Sequence, residues 1–78
     1  MFSGMGEELM DKNTIGQSIR KLREAKEYSR EQLAYKAGIH AQLIVRWELG
    51  ISCPNLRPLI AVADALDVSL DELVGRIR

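Results

Sequence analysis

Between Ser29 and Gly50 the chain is punctuated so closely that it has few ways to fold. Ser29 stands three positions before Gln32. That is the capping-box spacing, in which a hydroxyl and an amide side chain satisfy each other's unpaired backbone N–H groups. Leu33, Ala34 and Ala37 give the ensuing short helix an inner face, and Gly38 predicts its end, as a residue that takes positive φ at a helix C-terminus. A second short helix follows almost at once. Its Ile44, Trp47 and Glu48 fall at i, i+3 and i+4 and share a face, while Gln42, Val45, Arg46 and Leu49 project elsewhere. Gly50 stops it.

The flanks carry the same helical signals. Ile15, Ile19, Leu22 and Ala25/Lys26 recur at helical spacing, with Asn13 or Thr14 as cap. After the loop Ile51-Ser52-Cys53-Pro54, Asn55 predicts the cap of a fourth helix through about Leu66. Pro58 falls in its first turn, where a missing N–H costs nothing. Asp67-Val68 turns the chain, Ser69 caps a fifth helix, and Leu70, Leu73, Val74 and Ile77 give that helix an apolar side. Residues 1–13 read as a flexible arm without periodicity and 14–78 as one all-α domain of five short helices.

Size and composition narrow the chemistry. A 78-residue chain buries only roughly 60% of the surface it exposes when unfolded, so the core takes most of the aliphatic residues and leaves few for a deep pocket. One Cys and one His provide neither an internal disulfide framework nor a four-ligand zinc site. No uncharged apolar run approaches the roughly 20 residues that span a bilayer. The acidic start, with Glu7, Glu8 and Asp11, is unlike a secretory signal. A nucleophile elbow, a phosphate-cradling glycine loop and a histidine metal pair are all missing, and His40 and Cys53 lack a third partner. The expectation is a cytoplasmic protein that is not an enzyme, with no metal, cofactor or membrane partner.

Net charge is zero, but the charges are segregated. From Ile15 to Pro58 there are eight basic residues against Glu24, Glu27, Glu31 and Glu48, a net +4. The remainder holds Lys12, Arg76 and Arg78 against seven acids, a net −4. A basic middle between acidic ends points to an anionic partner for the middle.

Two short helices joined by a tight turn at a glycine, the second polar on its outer face, describe a helix-turn-helix. The residues match in more detail: Ile15-Gly16-Gln17-Ser18-Ile19-Arg20-Lys21-Leu22-Arg23, Ser29-Arg30-Glu31-Gln32-Leu33-Ala34, Gly38-Ile39-His40, Ile44-Val45-Arg46-Trp47-Glu48, Gly50…Pro54…Leu59 and Leu66-Asp67-Val68-Ser69-Leu70-Asp71-Glu72-Leu73 recur in register. From about Thr14 to Val74 the chain strongly resembles the Cro/C1-type (XRE-type) helix-turn-helix family of bacterial and phage DNA-binding repressors. The resemblance implies a lambda-repressor-like fold with the motif at helices two and three. It also implies a sequence-specific regulator, a repressor that acts by occupying its operator.

By that resemblance the base-reading positions fall on His40, Ala41, Gln42, Val45 and Arg46. The groove chemistry suits them: Gln pairs with adenine N6/N7, Arg with guanine O6/N7, and Ala and Val meet thymine methyls. Arg30 matches the position from which family members reach a phosphate with Gln. Backbone N–H groups around Asn55, with Arg57 beside them, suit a second phosphate. Ser18 and Lys21 are further phosphate candidates. Arg23 and Glu48 match a family pair, which implies an enclosed ion pair pinning the recognition helix. Trp47 reads as core.

One copy meets too few base pairs for useful selectivity, so a homodimer is expected, reading half-sites about 34 Å apart. Leu70, Val74 and Ile77 are its candidate interface, with core packing the competing use. Leu43, Val45 and Leu49 depart from the family by being apolar, and Ile51 stands where Lys or Arg is common. An apolar patch on an exposed helix also marks protein-binding surfaces. The alternative reading is therefore a protein-interaction module on the same fold, an antitoxin or an antagonist of another regulator, using the outer face of helix three.

Overall fold

The computed structural model describes residues 12–74. These residues form five α-helices and no strand: α1 (Lys12–Ala25), α2 (Arg30–Ala37), α3 (Ala41–Glu48), α4 (Leu56–Leu66) and α5 (Leu70–Leu73). The expected helix-turn-helix is α2 and α3. Asn13 and Thr14 lie inside α1 rather than capping it. Once a turn exists each further residue adds a hydrogen bond at little cost, and no Gly or Pro at these positions halts the helix. The arm boundary at residue 13 therefore falls within a helix, and residues 1–11 of the expected arm lie outside the described residues.

The caps explain why such short helices hold. Ser29 Oγ accepts from the Gln32 N–H at 3.0 Å, and Gln32 Oε1 accepts from the Ser29 N–H at 2.7 Å. Gly38 closes α2 at φ 73°, and the Ile39 N–H donates back to the Ala34 carbonyl at 3.0 Å. Ser69 and Glu72 repeat the reciprocal bonds at the start of α5, at 3.1 and 3.2 Å. Asn55 is a correction to the capping expectation. It occupies the N-cap of α4 with extended backbone, but its amide makes no capping bond. Only its carbonyl takes part, accepting from Leu59 N–H at 3.0 Å.

One side of each helix enters a single core. Ile15 and Ile19 come from α1, Leu33 and Ala34 from α2, Ile44 and Trp47 from α3, Val62, Ala63 and Leu66 from α4, with Leu73 and Val74 closing the end. α2 packs on α3 and α4, α1 on α3, and α5 on both α1 and α4. Val74 departs from the expected dimer surface. It is only 8% exposed, because its N–H bonds to the Leu70 carbonyl at 2.9 Å and carries the last turn onto the core. Ile77 lies outside the described residues, while Leu70 is exposed. No helix among the described residues is long and apolar enough to cross a membrane.

α1 crosses the end of α3 at Gly16. A Cβ there would overlap the Trp47 carbonyl oxygen and come within 2.9 Å of the Trp47 carbonyl carbon. The missing side chain lets the first helix approach the backbone of α3, and so fixes the angle at which α3 leaves the core.

Candidate nucleic-acid interface

The helical period divides α3 into two faces. Ile44 and Trp47 are buried, and the Glu48 side chain is 1% exposed. On the opposite side Gln42 and Arg46, one turn apart, are exposed, and His40 is exposed at the N-cap without a capping bond. Ala41 and Val45 form a half-buried stripe beside them. All five residues read as base contacts thus belong to α3 or its cap, and the most polar are the most open. Arg46 makes no ion pair or hydrogen bond with another described residue, so its guanidinium has all its donors for a ligand. Leu43 is half-buried and packs against the core. The apolar outer surface near the end of α3 is therefore Leu49 and Ile51, 64% and 51% exposed.

Behind this face a charged cluster ties α3 to the scaffold. Arg23 Nε donates to Glu48 Oε2 at 2.7 Å and Arg23 Nη2 to Glu48 Oε1 at 3.1 Å. Arg23 Nη1 donates to the Tyr28 carbonyl at 2.8 Å. One buried guanidinium therefore fixes both the end of α3 and the loop before α2. The Glu48 hydrogen bond raises the Arg23 pKa above its ordinary value despite the opposing effect of burial. The enclosed pair implied by the resemblance is present.

The same carboxylate takes a third donor. Arg30 Nε lies 2.9 Å from Glu48 Oε1, and the Arg30 side chain remains 39% exposed. Nothing in the sequence announced this contact between residues 18 positions apart. The family resemblance implies a phosphate role for Arg30 and a structural role for Glu48, and the fold brings the two together. Lys21 and Glu48 both line a surface cleft of about 330 Å³ between α1 and the end of α3, with Gln17, Arg20 and Glu24. Arg20 pairs there with Glu24 at 3.1 Å, both largely exposed. Ser18 is half-buried and outside that cleft. Asn55 and Arg57 are exposed at the start of α4, and Arg57 pairs with no described acid. Among the described residues, no group of three His, Cys, Asp or Glu side chains is placed to hold a metal ion.

A capped short helix, a glycine turn and a second helix with one polar face free define a helix-turn-helix domain. Residues 19–73 match the family model HTH_3, described as Helix-turn-helix, and the chain belongs to that family. It is 34% identical over 62 residues to the cryptic phage CTXphi transcriptional repressor RstR of Vibrio cholerae, covering 80% of this chain and 55% of that one. It is also 34% identical over 60 residues to an uncharacterized HTH-type transcriptional regulator, YqaE of Bacillus subtilis, covering 77% and 52%. The chain thus spans about half the length of these relatives. Among solved structures, the restriction-modification controller protein C.AhdI of Aeromonas hydrophila superposes with TM-score 0.78 at 35% identity, over 81% of this chain and 96% of that one. The apo competence regulator ComR of Streptococcus vestibularis gives TM-score 0.78 at 34% identity, over 86% of this chain and 23% of its own.

Proposed function

We propose that this chain is a sequence-specific, DNA-binding transcription regulator, a repressor that reads the major groove with α3. The observation that carries the reading is the outer face of α3. His40, Gln42 and Arg46 are exposed on it, and the opposite side is held rigidly by Trp47 and the Arg23–Glu48 pair. A major groove admits one helix, and side chains at its N-terminal part meet base edges. Arg30, Lys21, Asn55 and Arg57 flank α3 as phosphate contacts that set register. The repressor name of RstR and the controller and regulator names of the other relatives support the same class. Binding as a homodimer in the cytoplasm, without enzymatic activity, completes the proposal. Leu56, Ile60 and Leu70 leave uncovered apolar surface on α4 and α5 for the second copy, at 66%, 42% and 38% exposure.

Selection of bound duplexes from a random pool tests this directly. The expected result is an enriched sequence in two half-sites about one helical turn apart. A second reading, a protein-interaction module, draws on Leu49 and Ile51, large apolar side chains left exposed at the end of α3. Absence of any duplex binding at about 50 mM salt selects that reading, because even non-specific phosphate contacts hold at that ionic strength.

A further inference from the structure

We propose that Glu48 is a positioning residue for phosphate recognition: its carboxylate holds the Arg30 guanidinium by Nε, so that the two terminal Nη groups are presented as a preset fork to the DNA backbone. The inference rests on the duplex-binding reading above. It adds a specific role to a carboxylate otherwise explained as half of an internal ion pair.

The geometry sets the division of labour. Glu48 Oε2 is taken by Arg23 Nε at 2.7 Å, while Oε1 is shared between Arg23 Nη2 at 3.1 Å and Arg30 Nε at 2.9 Å. Arg30 therefore uses its inner edge, and among the described residues its Nη groups donate to no protein acceptor. A guanidinium held by Nε keeps four N–H donors in one plane, which is the geometry that grips phosphate oxygens in pairs. The charge balance favours an anion rather than opposing one. Two arginines share one carboxylate, leaving +1, and the Glu48 side chain is 1% exposed against 39% for Arg30. What faces solvent is the cation. Because Glu48 is the last residue of α3 and Arg30 the first of α2, the same bond links the base-reading helix to the backbone grip.

Duplex binding by the full chain, measured by fluorescence anisotropy on a labelled random-sequence duplex across a salt series, tests the proposal. Arg30→Ala is expected to weaken binding about tenfold and to lower the salt slope by about one unit. Arg30→Lys keeps the charge but has no Nε edge to anchor while its terminal group grips. It is expected to retain the slope yet bind about five- to tenfold more weakly, with unchanged thermal unfolding because the Arg23–Glu48 pair remains. In a Glu48→Gln background the effect of Arg30→Ala should shrink to about twofold. Glu48→Gln itself should weaken binding although it adds positive charge near the duplex, the opposite sign to simple electrostatics. Should Glu48→Gln not fold, Glu48→Asp, which keeps the charge but shortens the reach to Arg30, takes its place in the same cycle. Wild-type affinity in Arg30→Lys overturns the positioning role, and so does tighter binding by a folded Glu48→Gln. Failure of the unaltered chain to bind any duplex overturns the DNA reading instead.

Discussion

Gly16 on α1 lies directly against the Trp47 carbonyl at the end of α3, with no room between them for a methyl group. Gly16→Ala gains about 1 kcal/mol in helix propensity. It must also push apart two backbones, and overpacking of that kind costs typically about 1–3 kcal/mol. The expected outcome is a lower thermal midpoint. Duplex affinity should fall further than stability alone predicts, because the displaced element is the recognition helix. Circular dichroism melts and anisotropy titrations on the same sample check both.

The Arg23–Glu48 pair is expected to be costly to break and cheap to replace. Glu48→Ala strands the charge of Arg23, a residue only 7% exposed, at about 3–5 kcal/mol by urea unfolding. The double substitution Arg23→Met with Glu48→Leu should recover most of that stability, since an apolar pair needs no compensating charge. The arginine side does not titrate in ordinary buffers. Its pKa is raised by Glu48, and a raised pKa stabilises the fold at every pH below the unfolded value, with loss only in strong alkali. Unfolding midpoints flat from neutral to mildly alkaline pH are the corresponding observation.

Gln42→Ala and Arg46→Ala should leave the thermal midpoint nearly unchanged, since both side chains are exposed. Each should cost about 1–3 kcal/mol in binding to the selected duplex and relax preference at one base pair. Repeating the duplex selection with each variant locates the base pair it reads. Equal loss across all sequences would instead mark a phosphate contact.

Ser29→Ala removes the hydroxyl that accepts from the Gln32 N–H. The expected cost is about 1 kcal/mol in unfolding free energy. Arg30 stands next in the chain, so fraying of this turn should also lower duplex affinity modestly, and Ser29→Asp should restore both.

Local signals carried much of this fold. The capping box at Ser29, the turn at Gly38 and the spacing of Ile44 and Trp47 each depend on neighbours within a few residues, and each is found as expected. Where local signals compete, they do not fix the outcome. Asn13 and Thr14 have good capping chemistry, yet no steric stop forces a helix to begin there, and α1 runs through them. Val74 shares an apolar stripe with Leu70, and periodicity alone does not say which member meets solvent. The site followed the same division. The exposure of Gln42 and Arg46 on the free face of α3 follows from their spacing, whereas the bond from Arg30 to Glu48 has no local signature.

The sequence by itself determined where α2 and α4 begin and end, where α3 stops and where α5 starts, which face of each is apolar, and which residue types stand on the free face of α3. These follow from backbone sterics, capping and a 3.6-residue period, all of which act over one or two turns. Tertiary structure alone decided that Gly16 admits the α3 backbone, that Val74 closes the core, and that two arginines from different helices converge on one carboxylate. Those outcomes depend on how rigid helices pack, and a few degrees in crossing angle shift a side chain at a helix end by about 1 Å, enough to make or break a hydrogen bond.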